Sequence, residues 1–226
     1  MFVEDRKMRK LLIVVVMCLM SSGLYANLLT NGDFEADGGS LNGWTKRGWG
    51  SETLTLATEG DNHVGYMSGR GTTDYTGIRT TGTGFAQLLT PGETYTFSAW
   101  MKYQGVVPEG YPDPIQAKFT IQYDSTPAGF PSEYVQVGLG DVGTEWTLVE
   151  MNWTVPESAA GINGYFYIER VSVYQMPVVY NDTGDPQTPT AAFDFWIDDI
   201  VVAQVPEPAT MLLLGLGSLV ALKRRK

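Results

Sequence analysis

The stretch TYTFSAWMKY, residues 94–103, decides the fold class of this 226-residue chain. Apolar side chains occupy every second position from Tyr95 to Met101, and polar side chains fill most of the positions between them. Alternate side chains of a β-strand point to opposite faces of a sheet, so this spacing predicts a strand with one buried face. Trp100 falls on the other face, together with Lys102.

Five further segments show the same short alternation, and turn residues introduce each of them. They are PIQAKFTIQYD (114–124), YVQVGLG (134–140), EWTLVEMNWTV (145–155), GYFYIERVSVY (164–174) and FDFWIDDIVV (193–202). Between residues 27 and 206 no stretch keeps a helical period for three turns. The pattern predicts an all-β protein with long Pro- and Gly-rich loops at 106–113 and 180–191.

Residues 1–26 have the order of a secretory signal peptide: cations, then an apolar run, then small and polar residues. This order predicts a signal helix and cleavage after Ala26. Cys18 raises a lipoprotein alternative, but Met17 is too large for the position before a lipidated cysteine. No cysteine remains after cleavage, so disulfides and thiol chemistry are excluded from the mature chain.

The last 22 residues, VPEPATMLLLGLGSLVALKRRK, combine a Pro-Glu-Pro motif, an apolar run and four cations. The apolar run at 209–222 has 14 residues. A helix of that length, at ~1.5 Å per residue, falls short of the roughly 30 Å hydrocarbon core. It predicts a short hydrophobic helix that is only a marginal membrane anchor. An ordinary tail anchor is the alternative.

This tail resembles the PEP-CTERM sorting signal of Gram-negative bacteria. The resemblance implies that the helix anchors the chain transiently in the inner membrane, with the terminal cations on the cytoplasmic side. It also implies that an exosortase then cuts the chain at the motif and that the protein reaches the cell surface or the extracellular matrix. The motif residues are Val205, Pro206, Glu207 and Pro208. The predicted parts of the chain are a signal peptide at 1–26, one domain at 27–204 and the sorting signal at 205–226.

Charge distinguishes the middle of the chain from its ends. Of 15 Lys and Arg residues, eight lie in 1–10 and 223–226, whereas 22 of the 25 Asp and Glu residues lie in 27–206. The mature domain therefore has 7 cations, 22 anions and a net charge of about −15. Nucleic acid and anionic lipid are poor partners for such a surface.

Four segments in order resemble the carbohydrate-binding modules of families 4 and 9, with family 22 close by. They are NLLTNGDFEADGGSLNGWT (27–45), TPGETYTFSAWMKY (90–103), GTEWTLVEMNWTVP (143–156) and FWIDDIVV (195–202). The resemblance implies a jelly-roll β-sandwich of the galactose-binding-like type. It also implies sugar binding as a family tendency and says little about which sugar.

Outward-facing rings and amides in the predicted strands form a candidate sugar site. Flat aromatic faces cover the C–H side of a sugar ring, and amide or carboxylate groups satisfy its hydroxyls. If the strands share one sheet, the residues that line a groove are Trp100, Gln116, Gln122, Tyr134, Gln136, Tyr165, Tyr167 and Glu169. The same alternation places Leu139 inside. The alternative is that these are ordinary aromatics of exposed strand faces.

The resemblance also implies a structural calcium ion where the first and last strands meet. Its side-chain ligands would be Glu35 of NGDFE and Asp198 of FWIDD, with backbone carbonyls completing a shell of six to eight oxygens. Asp61, in the loop predicted at 57–69, is a further candidate ligand. The alternative is that Glu35 is a surface acid and that Asp198 ends a strand near solvent.

Signals for catalysis are weak. The single histidine, His63, falls in a Gly-rich predicted turn, and neither a GxSxG motif nor a zinc-spaced histidine set accompanies it. The many acids leave a glycosidase pair open without identifying one. The sequence therefore predicts an exported, non-catalytic, monomeric protein that binds exopolysaccharide or a cell-surface glycan. A structural surface or matrix protein without a sugar site and a glycoside-processing enzyme are the alternatives.

Overall fold

The computed structural model describes most of the domain between the two terminal signals. The described residues are 26–48, 52–68, 76–104, 115–124, 132–157, 164–170, 179–180, 186–187 and 194–206. The predicted signal peptide up to residue 25, and the sorting signal from Glu207 onward, lie outside them. Asn27–Val202 forms one compact unit. The other unit, Met1–Ala26 with Ala203–Lys226, is described only at residues 26 and 203–206.

Within the described ranges the chain forms twelve strands and two short 3-10 helices, Ala36–Gly38 and Phe85–Leu88. In chain order the strands are β1 (Trp44–Arg47), β2 (Thr53–Glu59), β3 (Asn62–Ser68), β4 (Gly77–Thr80), β5 (Thr94–Gln104), β6 (Ile115–Asp124), β7 (Ser132–Val142), β8 (Thr147–Thr154), β9 (Gly164–Arg170), β10 (Val179–Tyr180), β11 (Pro186–Gln187) and β12 (Asp194–Gln204). In this part of the chain no helix has the length and apolarity to cross a bilayer.

Ten of these strands form two five-stranded sheets. Sheet I has the order β1-β4-β9-β6-β7, and sheet II has the order β2-β3-β12-β5-β8. Strands β10 and β11 pair as a separate two-stranded ribbon, which begins one residue before the segment predicted as a loop and otherwise lies within it. Many neighbours in the sheets are distant along the chain, and their registers are antiparallel. The predicted all-β sandwich is confirmed.

The two sheets bury their apolar faces in a common core. The inward-facing residues of β5, Tyr95, Phe97, Ala99 and Met101, are each at most 2% exposed, as the alternation predicts. The ring of Phe166 in sheet I lies 5.3 Å from that of Phe97 in sheet II and 5.7 Å from that of Phe119. Such ring contacts add to the free energy of apolar burial. The contact between Phe166 and Phe97 holds the two sheets together, and the outer face of each sheet is thereby kept in place.

Strands β2 and β3 form a hairpin where the sequence predicts a loop. Glu59 pairs with Asn62, so the turn consists of two residues, Gly60 and Asp61. Gly60 has φ 65°, a conformation that glycine adopts without strain and that two-residue hairpin turns require. His63 therefore lies in a strand and not in a turn. The sequence prediction also omitted the short strands β1 and β4.

A bulge in β7 reverses the alternation of its side chains. The register with β6 shifts between Phe119 and Thr120, because β7 contains one extra residue there. Beyond the bulge Leu139 points outward and is 38% exposed, so its predicted inward position is wrong. Gly140 faces inward instead, where an added Cβ would lie 2.3 Å from Cγ1 of Val149.

The segment that follows the predicted cleavage site is bound to the last strand. The Asn27 side chain accepts hydrogen bonds from the backbone N–H groups of Leu29 (3.1 Å) and Val202 (2.9 Å). Its Nδ2 donates to the carbonyl of Ile200 at 2.7 Å, and the Leu28 N–H donates to the carbonyl of Val202 at 2.8 Å. These bonds place the segment that contains Glu35 beside β12.

Candidate functional site

The outer face of sheet I contains a groove of about 820 Å³. All five strands of the sheet contribute residues to its lining, and Gly48, directly after β1, adds one more. The lining residues are Thr45, Lys46, Arg47, Gly48, Arg79, Gln122, Tyr134, Tyr165 and Tyr167. In β4, β6 and β9 the lining residues alternate along the strand with buried residues that face the core.

A tyrosine, a glutamine and a second tyrosine lie in one row across three strands. Gln122 of β6 pairs with Tyr134 of β7 on one side and with Tyr165 of β9 on the other. Neighbouring strands lie about 4.8 Å apart, so the two rings flank the amide closely. Tyr134 is 57% exposed and Tyr165 is half-buried. This row offers apolar ring faces together with hydrogen-bonding groups.

Tyr167 forms part of the groove floor and is only 3% exposed. Its ring centroid lies 6.4 Å from that of Tyr134 and 5.9 Å from that of Tyr165, and the Arg47 guanidinium carbon lies 3.7 Å above it. Its hydroxyl donates to Oε1 of Gln122. Burial raises the pKa of Tyr167 to about 12, so the phenol stays neutral and orients the amide.

Beneath the groove, Glu169 is a buried anion rather than the exposed ligand that strand alternation predicts. Its side chain is 1% exposed. One carboxylate oxygen forms an ion pair with Arg47, and the other lies 3.4 Å from Nζ of Lys118. The Thr120 hydroxyl donates to it at 2.9 Å. A single buried carboxylate therefore positions two cations of the groove face, because charges in a protein interior require compensation.

Arg79 of β4 is a groove residue that the sequence reading missed. Its guanidinium carbon lies 4.5 Å from the ring centroid of Tyr165, and its side chain also hydrogen-bonds Tyr167. Arg79 follows the core residue Ile78, which has no exposed surface. The sequence contains one signal for Arg79: it is one of only 7 cations in the domain, and it directly follows an apolar residue.

The eight predicted sugar-site residues divide by their position on the sheets. Those that line the groove are Gln122, Tyr134, Tyr165 and Tyr167. Gln136 is exposed on the same strand as Tyr134, outside the lining. Gln116 lies six residues, roughly 20 Å, from Gln122 along β6, and its amide donates to Asp141 at 2.8 Å. Neither of these two glutamines reaches the groove.

Trp100 lies on sheet II, so the prediction that it shares a face with Tyr134 is wrong. It pairs with Leu148 of β8 and is 40% exposed. The same outer face holds the ring of Trp196, with Nζ of Lys102 4.2 Å from its centroid. Alternation along β5 correctly predicts that Trp100 points outward, but it carries no information about which sheet the strand joins.

The two predicted calcium ligands, Glu35 and Asp198, are brought together by the start of β3. Asp198 is hydrogen-bonded to its first residue, Asn62, and Glu35 is hydrogen-bonded to its second, His63. Asn62 Nδ2 donates to Oδ2 of Asp198 at 2.6 Å. The His63 N–H donates to Oε1 of Glu35 at 2.6 Å, and its Nδ1 lies 2.8 Å from Oε2. Burial is the main cause that raises the pKa of Asp198 to about 6, and Asp199 and Glu35 add to the effect. The His63 backbone hydrogen bond lowers the pKa of Glu35.

The chemistry of this pair suits calcium, although Asp61 does not join it. Two carboxylates beside backbone carbonyls are hard oxygen ligands of the kind that Ca²⁺ prefers. Phe34 precedes Glu35 and Asp199 follows Asp198, and their φ angles are 55° and 45°. Residues other than glycine rarely adopt such positive φ angles. Among the described residues no group of three Asp, Glu, His or Cys side chains is close enough to hold a metal. Asp61 is exposed at the hairpin turn.

Two antiparallel sheets packed on a common apolar core define the chain as a β-sandwich protein. The carbohydrate binding domain family CBM_4_9 matches residues 26–172, which is more than half of the chain. The chain belongs to this family, and the resemblance to families 4 and 9 inferred from the sequence is confirmed. The PEP-CTERM protein-sorting motif matches residues 204–226, which confirms the second resemblance.

Solved structures with the same fold include several family 22 modules. The CBM22-1 xylan-binding domain of Paenibacillus barcinonensis Xyn10C is 20% identical, with a TM-score of 0.54 over 81% of this chain and 97% of that one. Another xylan-binding domain from family 22 is 19% identical, with a TM-score of 0.54 over 79% and 96%. At this identity the likeness establishes the fold.

A larger enzyme also contains this fold. The CBM22-1 and GH10 modules of the Clostridium thermocellum xylanase 10B, solved with xylohexaose, match at 17% identity and a TM-score of 0.51. The match covers 73% of this chain and 26% of that one, so the chain corresponds to about a quarter of the enzyme structure. No curated protein matches the chain.

Proposed function

We propose that this is an exported, non-catalytic protein that binds polysaccharide in the groove of sheet I. The observation that carries the proposal is the row in which the accessible Tyr134 and the half-buried Tyr165 flank Gln122. Ring faces of tyrosine pack on the C–H faces of sugars, and the amide exchanges hydrogen bonds with sugar hydroxyls. Membership of a carbohydrate binding domain family supports the same function.

The groove is arranged in advance for a ligand. The Tyr167 hydroxyl holds the Gln122 side chain, and Arg47 covers the Tyr167 ring. Both contacts fix side-chain rotamers before a ligand arrives. Fixed side chains lose less conformational entropy on binding, which strengthens a ligand's affinity.

A non-catalytic role fits the composition of the groove better than a glycosidase does. Glycoside hydrolysis requires two carboxyl groups on opposite sides of the scissile bond. None of the nine described lining residues is Asp or Glu, and the nearby Glu169 is buried in an ion pair with Arg47. The proposal therefore assigns the groove to binding and not to hydrolysis. The structural surface protein remains the second candidate, and the binding experiment separates the two.

Export and release complete the proposed function. The sorting motif at 204–226 supports export followed by exosortase cleavage near the Pro-Glu-Pro residues. A protein released in this way would meet cell-surface glycan or matrix exopolysaccharide. Expression in an exosortase-containing host and in its exosortase deletion tests this step. The expected result is a protein in the deletion strain that is heavier by the uncleaved tail and fractionates with the membrane.

The sugar-binding proposal is tested with full-length protein in a polyoxyethylene detergent, which has no sugar headgroup to occupy the groove. Binding to xylan, β-glucans, galactans and bacterial exopolysaccharides would be measured by pull-down and calorimetry. We expect saturable binding that Tyr134→Ala weakens about tenfold and that Trp100→Ala, an exposed ring on sheet II, leaves unchanged. Failure of every polymer to bind folded protein would favour the structural surface protein.

We further propose that the Glu35 and Asp198 carboxylates, with neighbouring backbone carbonyls, hold a structural calcium ion. The support is the buried Asp198, the nearby Glu35 and the strained backbone beside each of them. An ion at this position would hold the N-terminal segment against β12 and would supply positive charge to two neighbouring carboxylates.

A further inference from the structure

The cations of this acidic domain are concentrated on the groove face. Residues 27–206 contain 7 Lys and Arg and 22 Asp and Glu. Three of the seven cations, Lys46, Arg47 and Arg79, line the groove, and Lys118 lies on the same face of sheet I beside Glu169. None of the described lining residues is acidic. The groove therefore has the opposite sign of charge from the domain as a whole.

The described carboxylates beside the groove are fewer than its cations. Glu169 is shared by Arg47 and Lys118, so one anion faces two cations. The Lys46 ammonium donates to the backbone carbonyl of Glu52 at 2.9 Å. The Glu52 carboxylate lies against the lining residue Gly48, so the described carboxylates next to these four cations are two, Glu52 and Glu169. The remaining charge of about +2 stands against a formal charge of −10 for the chain.

Arg79 is the cation best placed to meet a ligand. Its guanidinium stacks on Tyr165, and no described carboxylate forms an ion pair with it. A planar guanidinium binds a carboxylate through two parallel hydrogen bonds, and stacking on a ring fixes its plane. A sugar that packs on the Tyr165 face would bring its own substituents to this guanidinium.

We propose that the groove is selective for acidic polysaccharides whose sugar units carry carboxylates, and that Arg79 pairs with one of these carboxylates. This inference rests on the proposed function, since it names the chemical class of the polymer bound in the same groove. The acidic remainder of the domain repels such a polymer, while the basic groove attracts it. Contact is thereby directed to the groove and away from other surfaces.

The first test compares polymers that differ only in charge. Full-length protein in polyoxyethylene detergent is titrated with glucuronoxylan and with the same polymer after reduction of its carboxyl groups. Polygalacturonate and its methyl ester form a second pair with a different backbone. We expect the acidic member of at least one pair to bind at least tenfold more tightly, the scale of a charge-assisted hydrogen bond. Raising NaCl to about 0.5 M should remove most of that difference by screening.

The second test removes the proposed cation. Arg79→Gln should reduce the preference for the acidic polymer, measured as the ratio of its affinity to that of the neutral polymer in the same variant, about tenfold or more. Lys102→Gln is the matched control, because it also removes one positive charge but lies on sheet II. It should leave the preference unchanged. The near-ultraviolet spectrum and melting temperature of each variant report whether it is folded.

The results separate this inference from the function on which it rests. Equal binding of the acidic and neutral members, with no response to salt or to Arg79→Gln, would overturn the selectivity and keep polysaccharide binding. An equal loss in Arg79→Gln and Lys102→Gln would show that only net charge matters and would overturn the role of Arg79. Failure of all polymers, neutral and acidic, to bind folded protein would overturn the proposed function and this inference together.

Discussion

Arg47 and Glu169 form an ion pair under the groove of sheet I, and Arg47 at the same time covers the ring of Tyr167. The pair links β1 to β9, although β4 lies between them in the sheet. It is possible because the intervening position in β4 is Gly77, which pairs with both Arg47 and Glu169. A side chain at Gly77 would meet the backbone at Ile168, 2.0 Å from its carbonyl oxygen.

This ion pair connects the stability of the domain with the shape of its groove. Glu169 holds Arg47, Arg47 covers Tyr167, and Tyr167 donates to Gln122. Each step fixes the side chain that follows, so a buried carboxylate determines the position of an amide on the binding surface. Functional sites built on strands gain accuracy from such supporting contacts.

Removal of the Glu169 charge should destabilise the protein. Glu169→Gln keeps the shape of the side chain but leaves Arg47 and Lys118 without their buried counter-charge. We expect the free energy of unfolding to fall by about 3 kcal/mol, measured by urea denaturation of the full-length protein. Glu150→Gln, on the exposed face of β8, should change it by less than about 0.5 kcal/mol. Similar values for the two variants would mean that water satisfies the cations.

Calcium should stabilise the folded protein through Glu35 and Asp198. A ligand that binds only the folded state at 100 times its dissociation constant contributes about 2.7 kcal/mol, and this appears as a higher melting temperature. We expect calcium to raise the melting temperature and EDTA to reverse the increase. Asp198→Asn should abolish the increase, whereas Asp61→Asn, at the tip of the β2–β3 hairpin, should not. The same loss in both variants would place the ion at the hairpin.

Without calcium, the stability contribution of Asp198 should fall as the pH rises. Burial raises its pKa from 3.8 to about 6, so the folded state holds this proton more tightly than the unfolded state does. The contribution is complete below about pH 4 and is lost as the pH passes through about 6. Melting temperatures in EDTA should therefore decline from pH 4 to pH 7 more steeply in the parent than in Asp198→Asn. Parallel curves would contradict the raised pKa.

The calcium increment should have the opposite pH dependence. Calcium binds the ionised carboxylate, so protonation of Asp198 competes with the ion and proton release accompanies binding. The increase in melting temperature on adding calcium should be small at pH 5 and larger at pH 7.5. The pKa of Glu35 is lowered by its hydrogen bonds from His63, so its stabilising contribution appears above its ordinary range and disappears in acid. An increment independent of pH would argue against Asp198 as a ligand.

Local alternation was sufficient to predict the core strands. In β5 and β6 the buried apolar residues follow one another at every second position, because each strand lies between the core and solvent. The prediction failed where one residue is inserted, since the bulge in β7 turns Leu139 outward. It also failed for β2 and β3, where the turn formed by Gly60 and Asp61 was read as part of a loop.

The groove depends on contacts that no local pattern contains. The sequence shows that Trp100 and Tyr134 both point outward, but the pairing partners of β5 and β7 decide that they lie on different sheets. Tyr167 and Glu169 also point away from the core. Both are nevertheless buried, because Arg47, which is distant in the sequence but lies in the same sheet, packs against them. The family resemblance supplied the fold, and the cations of the groove emerged only from the assembled sheet.

Tyr66 and Tyr167 should ionise at unusually high pH, for two different reasons. The pKa of each is raised from 10 to about 12. For Tyr66 the main cause is the hydrogen bond that its hydroxyl donates to Asp194 at 2.7 Å, whereas for Tyr167 it is burial. In both cases the folded state favours the neutral phenol, so stability is complete below pH 10 and is lost as the pH rises through about 12.

Ultraviolet titration at alkaline pH separates these two causes. Asp194→Asn removes the charge beside Tyr66, so one late-titrating phenol should move toward pH 10 while the other stays near 12. Tyr167→Phe should remove the second late phenol and leave the first. If Asp194→Asn shifts neither phenol, the hydrogen bond is not the cause of the raised pKa of Tyr66. If Tyr167→Phe leaves both late steps in place, Tyr167 is accessible to solvent and is not the buried support of Gln122.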